Sequence, residues 1–481
     1  MAPLRIIIVG AGIGGPVAAI QLARNGHDVH LYERGRAAAE VGYAFRLTPN
    51  SDRVLKHLGI DAEAGGAVAA SVVRKFDARG TPQEEAFREN QNPDQNQDQD
   101  QDQAQAPRRQ ARSVFASRHQ LSAQLLRRAA ESGVKMHLGV SVARVDAEST
   151  TVELGDGTTT SADLVIAADG VGSVVRAAVV DDPRLHAPRA STGHSAFRFM
   201  LPKDAVLRDA VTSVVFAAAG SGMFTWMGDD KMVLAYPVDF GKQLNVVCTH
   251  PSALSETAAA AAGGAESSSS SSAEEARNYN QKASRETVLS IYGEFDPVAR
   301  RLVEMADPDG LRVWKLMDMD EIPAWSRNRT VLVGDACHPV LPYSFSGASM
   351  AIEDAITLAT LLPAGLRPDQ IPSRLGAYEA LRRPRVGRVR QAGRDIARGM
   401  QEKAYIAGYM AFLASFDAVG VAKEAAEKLA AESEVVDAAS KGPSGLVQNE
   451  AKDEGEAPEE NKDEEKKDAV KPSERHCCVI L

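Results

Sequence analysis

The first 33 residues hold the clearest pattern of apolar and polar positions in the chain. Residues 5–9, Arg-Ile-Ile-Ile-Val, form a short apolar run of the kind that a buried parallel strand requires. Apolar residues at helical spacing follow from Val17 to Ala23, and a second apolar stretch runs from Asp28 to Glu33. The pattern predicts a strand, a helix and a second strand in this order.

Glycines occupy the turn between the predicted first strand and the helix. Gly10, Gly12 and Gly15 form a G-x-G-x-x-G sequence, in which they allow the tight turn, the approach of a pyrophosphate to the backbone, and the packing of helix on strand. The helix N-terminus then faces the phosphate charge. Glu33 ends the second strand, where a carboxylate accepts hydrogen bonds from a ribose and disfavours a 2'-phosphate. The unit therefore predicts bound FAD or NAD, not NADP.

Two later apolar stretches also end in a carboxylate. Residues 162–168 lead into Asp169, and residues 330–334 lead into Asp335. A carboxylate at the carboxyl end of a strand can accept a hydrogen bond from a ribityl or ribose hydroxyl. Beyond Asp335, Gly347 and Ala348 open a predicted helix, whose first backbone N–H groups are free to face an electron-rich ring.

Composition separates the patterned sequence from three polar segments. The 481 residues, 44% apolar and 25% charged, predict a soluble globular protein of about two domains. A low-complexity Gln-Asp insertion at residues 83–110, an Ala-Gly-Ser insertion near residues 254–285 and an acidic tail at residues 441–481 predict disorder. A net charge of -10 without a basic cluster makes nucleic acid an unsuitable partner.

Four cysteines, Cys248, Cys337, Cys477 and Cys478, are too few and too irregularly spaced for a disulfide framework or a metal site. The terminal sequence Cys478-Val-Ile-Leu is typical of a prenylation box, and its final leucine favours geranylgeranylation. One lipid rarely anchors a protein stably, so palmitoylation of Cys477 would supply the second signal. The alternative is a fortuitous box on a disordered end. We expect a cytoplasmic protein that such lipidation would hold on the cytosolic face of a membrane.

Taken together, these motifs resemble the three FAD motifs of the class A flavoprotein monooxygenases, which share the para-hydroxybenzoate-hydroxylase fold. The match comprises residues 10–15 with Glu33, residues 163–176, and residues 334–354, and the nearest branch is the salicylate-hydroxylase-like and fungal secondary-metabolite one. The resemblance implies an α/β fold with a Rossmann-like, three-layer FAD-binding domain, an inserted mixed-sheet substrate domain and a C-terminal helical region. The expected boundaries are 1–82, 111–185 and 320–365 for the FAD-binding domain, 186–319 for the substrate domain, and 366–440 for the C-terminal helices.

The resemblance also implies an oxidoreductase mechanism. NADPH or NADH reduces the flavin, O2 adds to give a C4a-hydroperoxyflavin, and its distal oxygen passes to an electron-rich ring or alkene. By family position Glu33 would hold the adenosine ribose, Arg46 and Arg118 would lie along the FAD, and Asp335 would take the ribityl chain. Gly347 and Ala348 would present N–H groups to the flavin pyrimidine ring.

The chain departs from the family pattern beside the flavin, where Ser346 and Ser349 stand in place of the Gln and Asn of many relatives. These changes alter the pocket wall, so no particular substrate follows from the resemblance.

His194 and Arg198 are the candidate catalytic side chains. They share one face of a predicted substrate-domain strand. In the family this region roofs the active site, where an arginine matching Arg198 can orient the substrate or protonate the transferred oxygen. Alternatively, Arg198 supports the flavin or a surface carboxylate. His194 can deprotonate a phenol, or it is a hydrogen-bonded structural residue.

Three functions therefore remain open. The first is hydroxylation of a phenolic small molecule, and the second is epoxidation of an alkene in a terpenoid or prenylated metabolite. The third is an FAD-binding regulatory role without turnover.

Overall fold

A computed structural model describes residues 2–36, 43–69, 72–83, 87–88, 113–189, 192–217, 222–261, 281–399 and 403–440. Residues Met1–Glu432 form one compact unit. The unit that follows, Ser433–Leu481, is described only for the end of a helix that reaches Ser440. Cys477 and Cys478 lie outside the described residues, so their lipidation stays a prediction.

The N-terminal pattern forms part of a six-stranded sheet. With strands numbered in chain order, its members are β1 (Arg5–Val9), β2 (Asp28–Glu33), β8 (Lys135–Leu138), β12 (Leu164–Ala167), β19 (Ser326–Arg327) and β20 (Thr330–Leu332). The spatial order is β19-β20-β12-β1-β2-β8, and all neighbours run parallel except the edge strand β19. Ile6, Ile7 and Ile8 have no exposed surface, which means that β1 is covered on both faces, as its apolar run predicts.

Two small antiparallel sheets accompany this layer. One contains β9 (Val142–Asp146), β10 (Thr151–Leu154) and β11 (Thr159–Ser161), and the other contains β3 (Ala44–Leu47), β4 (Val68–Ala69) and β7 (Val114–Ser117). The second sheet matters for the site because β3 carries Arg46.

A mixed eight-stranded sheet forms the substrate side. Its members are β5 (Val72–Asp77), β6 (Phe87–Arg88), β13 (His194–Pro202), β14 (Gly222–Gly228), β15 (Lys231–Val238), β16 (Gln243–Pro251), β17 (Gln281–Lys282) and β18 (Arg312–Lys315). The order is β17-β18-β13-β16-β15-β14-β5-β6. The α/β fold with an inserted mixed sheet, predicted from the sequence, is confirmed.

Strand β5 corrects the expected division of the chain, which assigned residues 1–82 to the FAD-binding part. Val72 to Asp77 instead pair in parallel with Gly222 to Met227 of β14. This pairing gives the backbone N–H and C=O groups of both strands partners that an isolated β5 would lack. The expected insertions also contain regular structure, because β6 lies within residues 83–110 and a helix covers residues Ser252–Ala261.

The described residues contain thirteen α-helices. In chain order they are α1 (Gly14–Arg24), α2 (Pro49–His57), α3 (Arg118–Glu131), α4 (Arg176–Val179), α5 (Lys203–Arg208), α6 (Ser213–Phe216), α7 (Ser252–Ala261), α8 (Arg285–Tyr292), α9 (Pro297–Glu304), α10 (Gly347–Thr360), α11 (Ile371–Ala397), α12 (Lys403–Ser415) and α13 (Ala418–Ser440). The last three form the predicted C-terminal helical region.

Among the helices that the structure describes, none is by itself both long and apolar enough to cross a membrane. Ala404–Ser415 and Ala418–Glu434 meet the criteria of length and composition only as a pair, which is bent by 51°.

Candidate active site

A cavity of about 840 Å³ lies where the glycine turn, the two carboxylate motifs, the eight-stranded sheet and the C-terminal helices meet. Its wall contains eight residues expected at the site: Gly12, Arg46, Arg118, His194, Arg198, Asp335, Gly347 and Ala348. The other expected residues, Gly10, Gly15, Glu33 and Asp169, support this wall through backbone packing and hydrogen bonds.

The glycine turn is shaped by two close backbone contacts and one open position. Gly10 has φ +101°, and a Cβ there would lie 2.4 Å from the carbonyl oxygen of Ala168, the residue that follows β12. A Cβ on Gly15 would lie 2.0 Å from the Gly10 carbonyl oxygen, so only glycine lets α1 pack against the turn. A Cβ on Gly12 would instead enter the cavity, with Arg118 Nη2 at 3.9 Å as its nearest neighbour. This cradle fits a dinucleotide pyrophosphate that approaches the backbone at Gly12.

The Glu33 carboxylate stabilises the same turn through hydrogen bonds to the backbone. Its Oε2 accepts a hydrogen bond from the Ala11 N–H at 2.9 Å, and its Oε1 accepts one from the Gly35 N–H at 2.8 Å. A carboxylate offers about four acceptor positions, so two remain for ribose hydroxyls.

Arg176 ties the two carboxylate motifs together. Its guanidinium has no exposed surface and donates to the carbonyl oxygens of Gly170, Val171, His186, Asp335 and Ala336. One side chain thus fixes both loops by backbone contacts.

The two carboxylates differ in position. Asp169 Oδ2 accepts the Val174 N–H at 2.8 Å, which stabilises the turn after β12, whereas Asp335 reaches the cavity wall. Desolvation by the surrounding protein raises the pKa of both carboxyls above the ordinary aspartate value. Asp335 is thus the carboxylate available to a ribityl chain in the cavity.

A buried ionic network lies behind the Asp335 motif. Asp354 accepts hydrogen bonds from the Gly334 N–H at 3.0 Å, from His338 Nε2 at 2.5 Å and from Arg382 Nε at 2.7 Å. Burial alone would raise the pKa of Asp354, but His338 and Arg382 lower it well below the usual range. His338 therefore has a structural role in this network.

The substrate side of the cavity carries His194 next to a carboxylate that the sequence did not indicate. His194 Nε2 lies 2.8 Å from Asp230 Oδ1, and its Nδ1 lies 2.8 Å from the Thr192 carbonyl oxygen. Both partners are hydrogen-bond acceptors, so each ring nitrogen of His194 faces an oxygen atom. His194 is thus oriented by two hydrogen bonds at the edge of the cavity.

Arg198 is held on the same wall by aromatic rings. Its Cζ lies 5.9 Å from the centre of the Tyr43 ring and 5.6 Å from that of Trp314, which is the geometry of a cation–π contact. The rings hold a positive charge on the face that also carries His194 and Ala196.

Aromatic and aliphatic side chains from distant parts of the chain complete the wall. Tyr343 packs edge-on against His194 with ring centres 6.5 Å apart, while Ile406 and Met410 of α12 close the C-terminal side. Sequence reasoning missed Asp230, Tyr343 and Met410, because their place at the site depends on contacts between distant segments. Of the three, only Tyr343 could have been suspected from the sequence, because it follows Pro342 within the motif that begins at Asp335.

The chain is similar to known FAD-dependent proteins. The family model described as "FAD binding domain" matches residues 4–392. The chain is 31% identical over 398 residues to the FAD-dependent monooxygenase atnJ of Arthrinium sp, with 82% of this chain and 84% of that protein covered. It is 32% identical over 400 residues to 3-amino-4-hydroxybenzoate 2-monooxygenase of Streptomyces cremeus, with 82% and 87% covered.

A solved structure shows the same fold. The crystal structure of CtdE with FAD and a substrate superposes with a TM-score of 0.70 at 22% identity, and the match covers 90% of this chain and 100% of that one.

Proposed function

The chain belongs to the class A FAD-dependent monooxygenase family, and from this we propose that it hydroxylates a phenolic small molecule with NADPH or NADH and O2. That it is an FAD-dependent monooxygenase follows from the family match; the phenolic substrate and the nicotinamide reductant are the proposal. One observation carries it. A single cavity joins the wall that fits FAD to an apolar half that holds His194 and Arg198.

The apolar half of the cavity suits an aromatic ring. Met223, Met232, Leu234, Val247 and Phe345 line it, and such a surface excludes water from the reacting ring. Support for a phenol also comes from the relative in Streptomyces cremeus, whose name specifies a hydroxybenzoate.

Bound FAD supplies the chemistry of oxygen activation once a nicotinamide has reduced it. The residues of this chain bind and orient. Arg46, Arg118 and Asp335 offer charges and an acceptor along the FAD side of the cavity, and the first N–H groups of α10 offer donors.

The polar groups on the substrate side support the proposal of a phenolic substrate. Arg198 can donate a hydrogen bond to a phenolate oxygen or to the transferred oxygen, since its charge is held over the cavity by Tyr43 and Trp314. His194 can exchange a proton at Nε2 with a phenol that takes the place of Asp230, because the Thr192 carbonyl keeps the ring oriented through Nδ1.

The experiment measures NADPH and NADH consumption by the FAD-loaded protein in air, with and without substrates. A panel of phenols and hydroxybenzoates is compared with prenylated alkenes that lack a phenol. Stimulation by phenols, with one oxygen added to the product, supports the proposal. Stimulation only by the alkenes would replace it with epoxidation.

A further inference from the structure

The two serines that depart from the family pattern both have specific partners in this chain. Ser349 Oγ accepts a hydrogen bond from Thr48 Oγ1 at 2.8 Å and lies 3.1 Å from Ser51 Oγ, which joins α10 to α2. Ser346 has a different partner, because its Oγ lies 2.9 Å from the hydroxyl of Tyr409 on α12. The second contact links a C-terminal helix to the loop beside the flavin site.

The direction of the hydrogen bonds at Ser346 follows from counting protons. Ser346 Oγ donates its only proton to the Ser344 carbonyl oxygen at 2.7 Å. Its lone pairs can still accept, and the Tyr409 hydroxyl, which lies 2.9 Å from Ser346 Oγ but 3.5 Å from the Ser344 carbonyl oxygen, donates to Ser346. Burial raises the pKa of Tyr409 to about 12, so this hydroxyl keeps its proton at any ordinary pH. The chain of bonds runs from Tyr409 through Ser346 to the backbone at Ser344.

This chain of bonds occupies a hydroxyl that would otherwise cap the helix. Ser346 is the N-cap residue of α10, a position where serine usually accepts a hydrogen bond from the second or third N–H of the helix. Here the Ser346 side chain makes no such bond, and its backbone angles, φ -122° and ψ -4°, lie outside the extended region of a capping residue. Gly347 and Ala348, which begin the helix, line the cavity.

The residue before Ser346 is held by the same bonds. Phe345 has φ +53°, an uncommon left-handed conformation for a bulky residue, and it also lines the cavity. The hydrogen bond from Ser346 Oγ to the Ser344 carbonyl joins the residues on either side of Phe345. Tyr409 fixes the orientation of that Ser346 hydroxyl.

We propose that Tyr409 is a positioning residue of the flavin site: by holding the Ser346 hydroxyl against Ser344, it prevents Ser346 from capping α10 and keeps the first N–H groups of that helix available to FAD. Without the Tyr409 hydroxyl, only the bond to the Ser344 carbonyl restrains the Ser346 hydroxyl, which then competes with the cofactor for the N–H groups of Ala348 and Ser349. The proposal rests on the proposed function only in placing the flavin end of FAD beside Gly347 and Ala348. Its test measures FAD affinity and not hydroxylation, so either can fail without the other.

The test compares the FAD dissociation constants of purified apoproteins, measured by the change in flavin fluorescence on titration. Tyr409→Phe removes only the hydroxyl, and we expect its FAD dissociation constant to rise about fivefold, the equivalent of one serine N-cap. The double variant Tyr409→Phe with Ser346→Ala should return to within about twofold of the wild type, because alanine cannot cap. Tyr405→Phe is the matched control, since Tyr405 lies on the same helix but donates to Asp395 at 3.1 Å, and it should leave the affinity unchanged.

A second readout follows the helix itself. Backbone amide exchange at Ala348 and Ser349 of the apoprotein should slow in Tyr409→Phe, because the new cap protects these groups, and should return to the wild-type rate in the double variant.

Two results would overturn the proposal. If Tyr409→Phe and the double variant bind FAD equally weakly, Tyr409 only stabilises α12; if Tyr409→Phe binds FAD as the wild type does, the serine does not compete. Should Tyr409→Phe not fold, Ser346→Ala alone decides. The proposal expects its affinity to stay within about twofold of the wild type, and a larger loss contradicts it.

Discussion

Replacement of Gly12 by alanine separates cofactor binding from folding. The added Cβ meets only Arg118 Nη2, at 3.9 Å, an ordinary van der Waals distance, and Gly12 is not one of the glycines with positive φ. The apoprotein should therefore fold normally, and the reduced freedom of its unfolded chain should raise the free energy of unfolding by about 0.4–1 kcal/mol. The same methyl group occupies the cradle for the pyrophosphate, so FAD affinity should fall at least about tenfold, or about 1.4 kcal/mol.

Two further glycine variants are the controls for this prediction. Gly376→Ala in α11 meets no atom within 4 Å, so it should stabilise the apoprotein by about 1 kcal/mol and leave FAD affinity unchanged. Gly15→Ala would place a Cβ 2.0 Å from the Gly10 carbonyl and should prevent folding of the turn itself. The assays are urea unfolding of the apoproteins and fluorescence titration with FAD. A Gly12→Ala protein that binds FAD as tightly as the wild type would refute the assignment of this cradle.

Three other predictions concern pH, the buried ions and the substrate side. Burial lowers the pKa of His250 from 6.5 to about 4, so stability should fall by about 3 kcal/mol as the pH drops between these values while only the unfolded state gains the proton. His250→Phe keeps the ring stack on Phe197 and should flatten the pH profile of urea unfolding; an unchanged slope would exclude His250 as its cause. Arg382→Met leaves buried carboxylate charge uncompensated and should cost about 3 kcal/mol or more of unfolding free energy. The exposed Arg184→Ala is the control and should change stability little, so equal losses would disprove the argument. Arg198→Lys keeps the charge but loses the contact of the planar guanidinium with two rings. Phenol-stimulated NAD(P)H oxidation should therefore drop about tenfold, while FAD affinity stays unchanged. A parallel loss of FAD affinity would assign Arg198 to the cofactor.

The part of the site that could be predicted from the sequence is the part built by neighbours in the chain. Strand β1, the glycine turn and α1 follow one another within Arg5–Arg24, so apolar period and glycine spacing specify them directly. Each carboxylate motif is likewise a strand and its own turn. The resemblance to a known family then supplied the arrangement of these local units.

Contacts between distant segments could not be predicted in this way. Strand β5 pairs with β14 across a long sequence separation, and nothing in Val72–Asp77 specifies that partner. Asp230 meets His194 only because β14 and β15 turn at that point of the sheet. Ser346 was visible as a departure from the family pattern, but its partner Tyr409 belongs to a helix whose position the local sequence does not encode.

The most direct test of the central claim follows the oxygen atom. The FAD-loaded protein is supplied with NADPH or NADH, the phenol that stimulates oxidation most strongly, and isotopically heavy O2. The account predicts a hydroxylated product that carries one heavy oxygen atom and forms in proportion to the nicotinamide consumed. A product whose new oxygen comes from water, or consumption that yields only hydrogen peroxide with every phenol, would contradict it.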